Sequence, residues 1–399
     1  MTQDLTHDHY SSLMDALIKH RLIVCCGAGG VGKTTTSAAL ALAAARQGKR
    51  VLALTIDPSK RLAQTLGVKK NEPHPVLLCR DRLDQLGVPK TGELYAWLLD
   101  PQLISDQVVN AEAGDQAEAL KKNLIYTQIS GIVAGMQEYT AVEALHQFLN
   151  DQRFDLIILD TPPSRHALRF IDSPDRVASF LDKRIFRLFV PKRTGLIAKM
   201  AAKVIDEVLE RAFGKVTSSE LKQFFELFSR LLDHLNQNQK EMAQVFQAHD
   251  VAFYLVTTAR EDAVDEAQRF AQEIKRRHLN LGGFLLNRYP LKIDQDIDLS
   301  ELTECFEQVL KNTKNDTFNT TKSQEGLKAL LHEPLLSTQK SHELRRKTER
   351  VLAGLGQVYR LKELKTDAST LEGIAQLTDQ LMTSYAAKDD SSRTQNEEA

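Results

Sequence analysis

The 399-residue sequence predicts an α/β fold built on a doubly wound, mostly parallel sheet. Three observations carry that prediction. Short apolar, β-rich runs recur along the chain. Helix-forming stretches separate them. The first run passes straight into a glycine-rich turn that opens a helix. Strands covered by helices on both faces read as continuous apolar runs, and strand–helix alternation is the pattern of such a sheet.

The first strand is "RLIVCC" (21–26), and the helix after the turn, "KTTTSAALALAAARQ", ends near Gly48. "RVLALTID" (50–57), "FDLIILD" (154–160), "VAFYLVTT" (251–258) and "LGGFLLN" (281–287) follow as buried strands. "LYAWLLDP" (94–101) reads as an edge strand, and "VYRLKEL" (358–364) as the last strand before the helix "LEGIAQLTDQL". Three helix-prone gaps, 102–150, 175–249 and 292–350, interrupt the rhythm as insertions. In the middle one, "TSSE" (217–220) is a capping box. Behind it Leu221, Phe224, Phe225, Phe228, Leu231, Leu232 and Leu235 fall on one helical face. That stripe is read as a packed helix, with a groove for an apolar ligand as the alternative, because apolar stripes usually face cores. The division is therefore an N-terminal extension (1–20), one domain (21–385) and a disordered tail (386–399) whose only apolar side chains are alanines.

With 52 basic and 53 acidic residues the chain carries a net charge of −1, which supplies no field for nucleic acid or a membrane. Cys25, Cys26, Cys79 and Cys305 make no C-x-x-C pair, so neither a disulfide framework nor a zinc site of that type is expected. No apolar signal core opens the chain, and no apolar run reaches the ~18 residues of a membrane span. A cytoplasmic location is expected. "DKRIFRLFVPKR" (182–193) mixes basic and aromatic residues and is read as a solvated connection in preference to a membrane contact. "KRR" (275–277) closes a helix, where cations complement the dipole.

"GAGGVGKT" (27–34) fits G-x-x-x-x-G-K-[ST] between a strand and a helix, the context that makes a phosphate loop specific. Gly27, Ala28, Gly29, Gly30, Val31 and Gly32 present backbone N–H groups to phosphates, and the helix N-terminus favours their charge. Lys33 reaches the β- and γ-phosphates, the Thr34 hydroxyl ligates Mg²⁺, and Thr35 meets the α-phosphate. Asp57 and Asp160 each end a strand, so both carboxylates emerge at the carboxyl edge of the sheet, where open α/β folds bind ligands. Asp160 is assigned to the metal and Asp57 to the attacking water, with a nucleotide and Mg²⁺ as the expected ligands.

"GAGGVGKTTT", "TIDP", "LDTPPSRHALRFID" and "LLN" together resemble the arsenite-transport (ArsA-like) ATPases, a family that includes the ATPases targeting tail-anchored membrane proteins. The likeness covers about residues 20–290 and 355–380. It implies a P-loop ATPase acting as a dimer that closes and opens with ATP binding and hydrolysis. It places Asp57 and Pro58 in switch I and Asp160, Thr161, Pro163, His166 and Arg169 in switch II. It matches Asn287 to an adenine-binding asparagine and Glu261 to an acidic residue near the dimer interface.

Two departures stand out. Ala28 occupies the position of the family's signature lysine, and the C-x-x-C zinc clasp of the tail-anchor branch is absent, so no zinc is expected. Arg165 is a candidate for supplying the missing charge. Arsenite binding would need clustered thiols, whereas Cys25 and Cys26 read as packing residues. The expected activity is that of a dimeric ATP-hydrolysing switch whose helical insert engages a client or membrane partner. The alternatives are a nucleotide-binding scaffold with little hydrolysis and a P-loop enzyme phosphorylating or ligating a small molecule. One loop per chain predicts a homodimer, or a heterodimer with a paralogue supplying the lysine.

Overall fold

The structure of the chain is a computed structural model that describes residues 13–56, 72–114, 137–163, 240–289, 344–364 and 370–384, with a few isolated positions between them. The capping box at 217–220, the apolar stripe at 221–235 and the basic–aromatic stretch at 182–193 lie outside the described residues.

The doubly wound sheet is present. Its strands are β1 (Leu22–Cys26), β2 (Arg50–Thr55), β3 (Val76–Leu77), β4 (Glu93–Leu98), β5 (Leu156–Asp160), β6 (Val251–Thr257), β7 (Leu281–Tyr289) and β8 (Val358–Lys362). They lie in the order β3-β4-β2-β5-β1-β6-β7-β8, and every pairing is parallel except that of β3 with β4. β4 is therefore not the edge strand expected from the sequence. Val76 and Leu77 pair antiparallel with Tyr95 and Ala96 and cover that edge. A two-residue strand is too short to leave a periodic signal, which is why it escapes a sequence reading.

Residues alternate between two cores across the sheet, as a period of two requires. Leu22, Val24, Cys26, Leu52 and Leu54 face one side, where they meet α4 (Pro101–Ala113), α5 (Gln137–Asn150) and α6 (Glu261–Arg276). Ile23, Cys25, Val51 and Ala53 face the other, against α1 (Leu13–Lys19), α2 (Lys33–Arg46), α3 (Arg80–Gln85) and α7 (Leu371–Met382). α6 shows why these segments are helices. Ala263, Val264, Ala267, Phe270, Ala271 and Ile274 recur at helical spacing and are buried, while Glu261 and Asp262 open it and Lys275 and Arg276 close it. α4 starts at Asp100, whose side chain accepts from the N–H groups of Gln102 and Leu103, with Pro101 in the first turn. Among the described residues of the first helix-prone gap, α4 and α5 are helical.

α1 comes from the stretch read as a polar N-terminal extension. Leu13, Ala16 and Leu17 are buried against the α2 side of the sheet, and the ammonium of Lys49 donates to the carbonyls of Leu17 and Ile18 at the helix end. No helix among the described residues is long and apolar enough to cross a membrane.

Candidate functional site

β1 sits at the centre of the sheet between β5 and β6, and all five of its residues are buried. The chain leaves it at Cys26 and turns through the phosphate loop into α2. Gly27 lies so close to β6 that a Cβ there would stand 2.1 Å from the carbonyl oxygen of Val256, so only glycine fits. Ala28 and Val31 are buried, and Gly29 and Gly30 are exposed at the carboxyl edge of the sheet. Gly32 has φ of 94° and starts α2 with no side-chain cap. The first-turn N–H groups of α2 are thus left without a capping side chain, and the positive end of the helix faces the loop, the arrangement that binds anions.

Lys33, the first residue of α2, is only 6% exposed and folds back over the loop, its ammonium donating to the Ala28 carbonyl at 2.8 Å. Thr34 and Thr35 follow, half-buried, in the same first turn. On one flank β5 brings Asp160 opposite Cys25 in register. Its carboxylate is fully buried and accepts from the Thr55 hydroxyl at 3.1 Å. Thr161, also buried, donates its hydroxyl to the Cys25 carbonyl at 2.8 Å, which ties the start of the following segment to β1. On the other flank Asn287, near the end of β7, donates its side-chain N–H to the Val31 carbonyl at 2.8 Å.

The strand order therefore assembles the phosphate loop, Asp160 and Asn287 along one edge. Pro163 is exposed just beyond, and Glu261 is exposed at the start of α6. Asp57, Pro58, Arg165, His166 and Arg169 lie outside the described residues. Cys25 and Cys26 are wholly buried, one in each core, as packing residues. Burial pushes both thiols up, that of Cys26 to about 12, so neither is a thiolate at neutral pH. Among the described residues no group of three or more His, Cys, Asp or Glu side chains could hold a metal ion. A carboxylate and a hydroxyl beside a phosphate cradle are hard oxygen donors. They suit Mg²⁺, which completes its shell with phosphate oxygens and water.

The sequence reading missed Thr55. Its only signal is a hydroxyl at the end of an apolar run, two residues before Asp57. It also missed the bond from Asn287 to Val31, since no local pattern links β7 to a loop 256 residues earlier.

A parallel sheet with a glycine-rich loop joining its central strand to a helix defines a nucleotide-binding P-loop protein. The comparisons place it further. The family of anion-transporting ATPases (ArsA ATPases) matches residues 20–333, and the chain belongs to that family. It is 25% identical over 274 residues to ATPase ASNA1 homolog 2 of Paramecium tetraurelia, covering 67% of this chain and 76% of that one. It is 23% identical over 267 residues to ATPase get3 of Schizosaccharomyces pombe, covering 66% and 71%. With ATPase GET3C of Arabidopsis thaliana the identity is 24% over 338 residues, covering 78% and 77%.

Proposed function

We propose that the chain is a cytoplasmic, Mg²⁺-dependent ATPase that works as a dimeric switch, passing its nucleotide state to a client or membrane partner through the helical segments within residues 21–385. The observation that supports this reading best is the phosphate loop with Lys33 folded over it, flanked by the buried carboxylate of Asp160. Lys33 would leave the Ala28 carbonyl for the β- and γ-phosphates, trading one acceptor for charged ones. The N–H groups of residues 27–34 would hold the phosphates, with Thr34 and Asp160 holding Mg²⁺ and Asp57 orienting the attacking water. The metal, when bound, neutralises charge on the phosphate oxygens. Asp160 and Thr161 both anchor to neighbouring strands, so movement of the segment after them is a route from the nucleotide to Pro163, His166 and Arg169.

Ala28 favours a second reading. The family resemblance implies a lysine there that reaches the partner's nucleotide. Without it, charge on the transferring phosphoryl group loses a cation, which costs orders of magnitude in rate. Arg165, or a paralogous subunit, would have to supply it. If neither does, the chain is a nucleotide-binding scaffold with little turnover. Nothing assembled at the described edge beside the loop resembles the acid–base set a metabolite kinase or ligase would need. The absent C-x-x-C pair argues against the zinc clasp of tail-anchor targeting.

Steady-state phosphate release and equilibrium binding test the assignment together. Lys33→Ala should weaken Mg²⁺–ATP binding at least tenfold or abolish turnover. Asp57→Asn should bind ATP nearly as the parent does, yet turn over about a hundredfold more slowly. Ordinary turnover in Asp57→Asn would remove Asp57 from the mechanism, and tight ATP binding without phosphate release in the parent would favour the scaffold.

A further inference from the structure

We propose that Asn287, which the family resemblance matches to an adenine-binding asparagine, also braces the phosphate loop through the other side of its amide, so that one residue links base and phosphates. The inference rests on the adenine-nucleotide reading above and adds to it a mechanical link between base and phosphates.

The orientation of the amide follows from its partners. The Val31 carbonyl can only accept, so it faces Nδ2 at 2.8 Å. The Arg288 backbone N–H can only donate, so it faces Oδ1 at 2.8 Å. An asparagine amide has two N–H donors and two acceptor lone pairs. These bonds use one of each, and the half-buried side chain keeps one N–H and one lone pair. A donor beside an acceptor complements adenine, which presents N7 as acceptor and its amino group as donor. Guanine presents two acceptors, N7 and O6, and leaves the asparagine oxygen facing an oxygen.

The brace is specific to the loop's construction. A Cβ on Gly32 would lie 2.3 Å from Asn287 Nδ2, so the glycine leaves the space that the amide fills. A loop with glycines at 29, 30 and 32 has wide conformational freedom to lose on binding phosphates. A hydrogen bond from a sheet strand to the carbonyl of Val31 removes part of that freedom beforehand, which is how preorganisation raises affinity. Asn287 should then matter for ligands that have no base at all.

The test titrates the full chain with Mg²⁺–tripolyphosphate and with Mg²⁺–ATP by calorimetry, in the parent and in Asn287→Ala. Tripolyphosphate affinity should fall about three- to tenfold, the effect of one neutral hydrogen bond. ATP affinity should fall further. Hydrogen exchange at the amides of residues 29–34 should quicken without ligand. Unchanged tripolyphosphate binding and exchange alongside weakened ATP binding would overturn the brace and leave a base contact only. Equal losses for both ligands would overturn the base-reading side. Asn287→Asp guards against a folding defect, because it keeps the size and the Arg288 bond but cannot donate to Val31. Tripolyphosphate bound by that variant as tightly as by the parent would also overturn the brace. If the parent binds neither ligand, the nucleotide reading itself fails, a result distinct from the others.

Discussion

A buried carboxylate is tolerable when its oxygens find donors, and Asp160 finds one in Thr55, whose hydroxyl lies 3.1 Å from Oδ2. Both groups are buried and sit opposite each other in the β2–β5 register. The bond orients the carboxylate, and in the metal site proposed for Asp160 an oriented oxygen is what a small cation with strict octahedral demands requires. Thr55→Val keeps the shape and removes the donor. The gain in ADP affinity on adding Mg²⁺, measured against ADP with chelator, should shrink about three- to tenfold in this variant. Thr55→Ser should restore it. A gain equal to the parent's in Thr55→Val would reduce Thr55 to a packing residue. At this scale legibility was uneven for a physical reason. Lys33 and Asp160 announce themselves by a motif and by ending apolar strands, whereas threonine is an ordinary strand former, and its role appears only when the register sets it beside Asp160.

Among the elements, α2 is the one that carries the loop, and its sequence "KTTTSAALALAAAR" is small and apolar almost all round. A helix of that kind is buried on every side. Its residues Thr36 to Ala45 are buried between the sheet and the pair α1 and α7. Thr378 of α7 donates its hydroxyl to the Ala39 carbonyl at 3.1 Å and to Ile374 at 2.8 Å, so the two helices approach closely. Ala39→Leu inserts three carbons where there is no room and should cost about 1–3 kcal/mol of stability in urea unfolding. Loss of less than about 0.5 kcal/mol would mean that the α2–α7 contact yields more easily than its burial indicates. The central strands and α2 were legible because burial on both faces leaves unbroken apolar runs. β3 and α1 were not: the first has two residues, and the second buries Leu13, Ala16 and Leu17 within a single seven-residue helix, too short for a period to stand out. Placing β4 at the edge failed because the partner that covers it was the invisible one.

For the whole molecule, the decisive property is what happens at the carboxyl edge of the sheet when phosphates arrive. Each chain has one phosphate loop, and its tip, Gly29 and Gly30, is exposed. Glu261 is exposed at the start of α6, which follows β6, the strand packed directly against Gly27. A second chain closing over this edge would exclude water from the triphosphate and strengthen every charge contact made to it. The proposed switch requires the γ-phosphate to make contacts across the pair, so ATP should favour the closed pair and ADP should release it. Light scattering of the purified chain should therefore show twice the monomer mass with Mg²⁺–ATP and the monomer mass with Mg²⁺–ADP or no nucleotide, with phosphate release under the first condition. Asp57→Asn, in the role proposed for Asp57, should slow hydrolysis and so hold the dimer longer after ATP is added. A dimer that forms but releases no phosphate would point to Ala28, where the family resemblance implies a lysine, as the limiting element, and Ala28→Lys should then raise turnover. If the mass stays that of a monomer while ATP binds, a single copy of the chain does not complete the site, and a paralogous subunit bearing a lysine at this position becomes the partner to test.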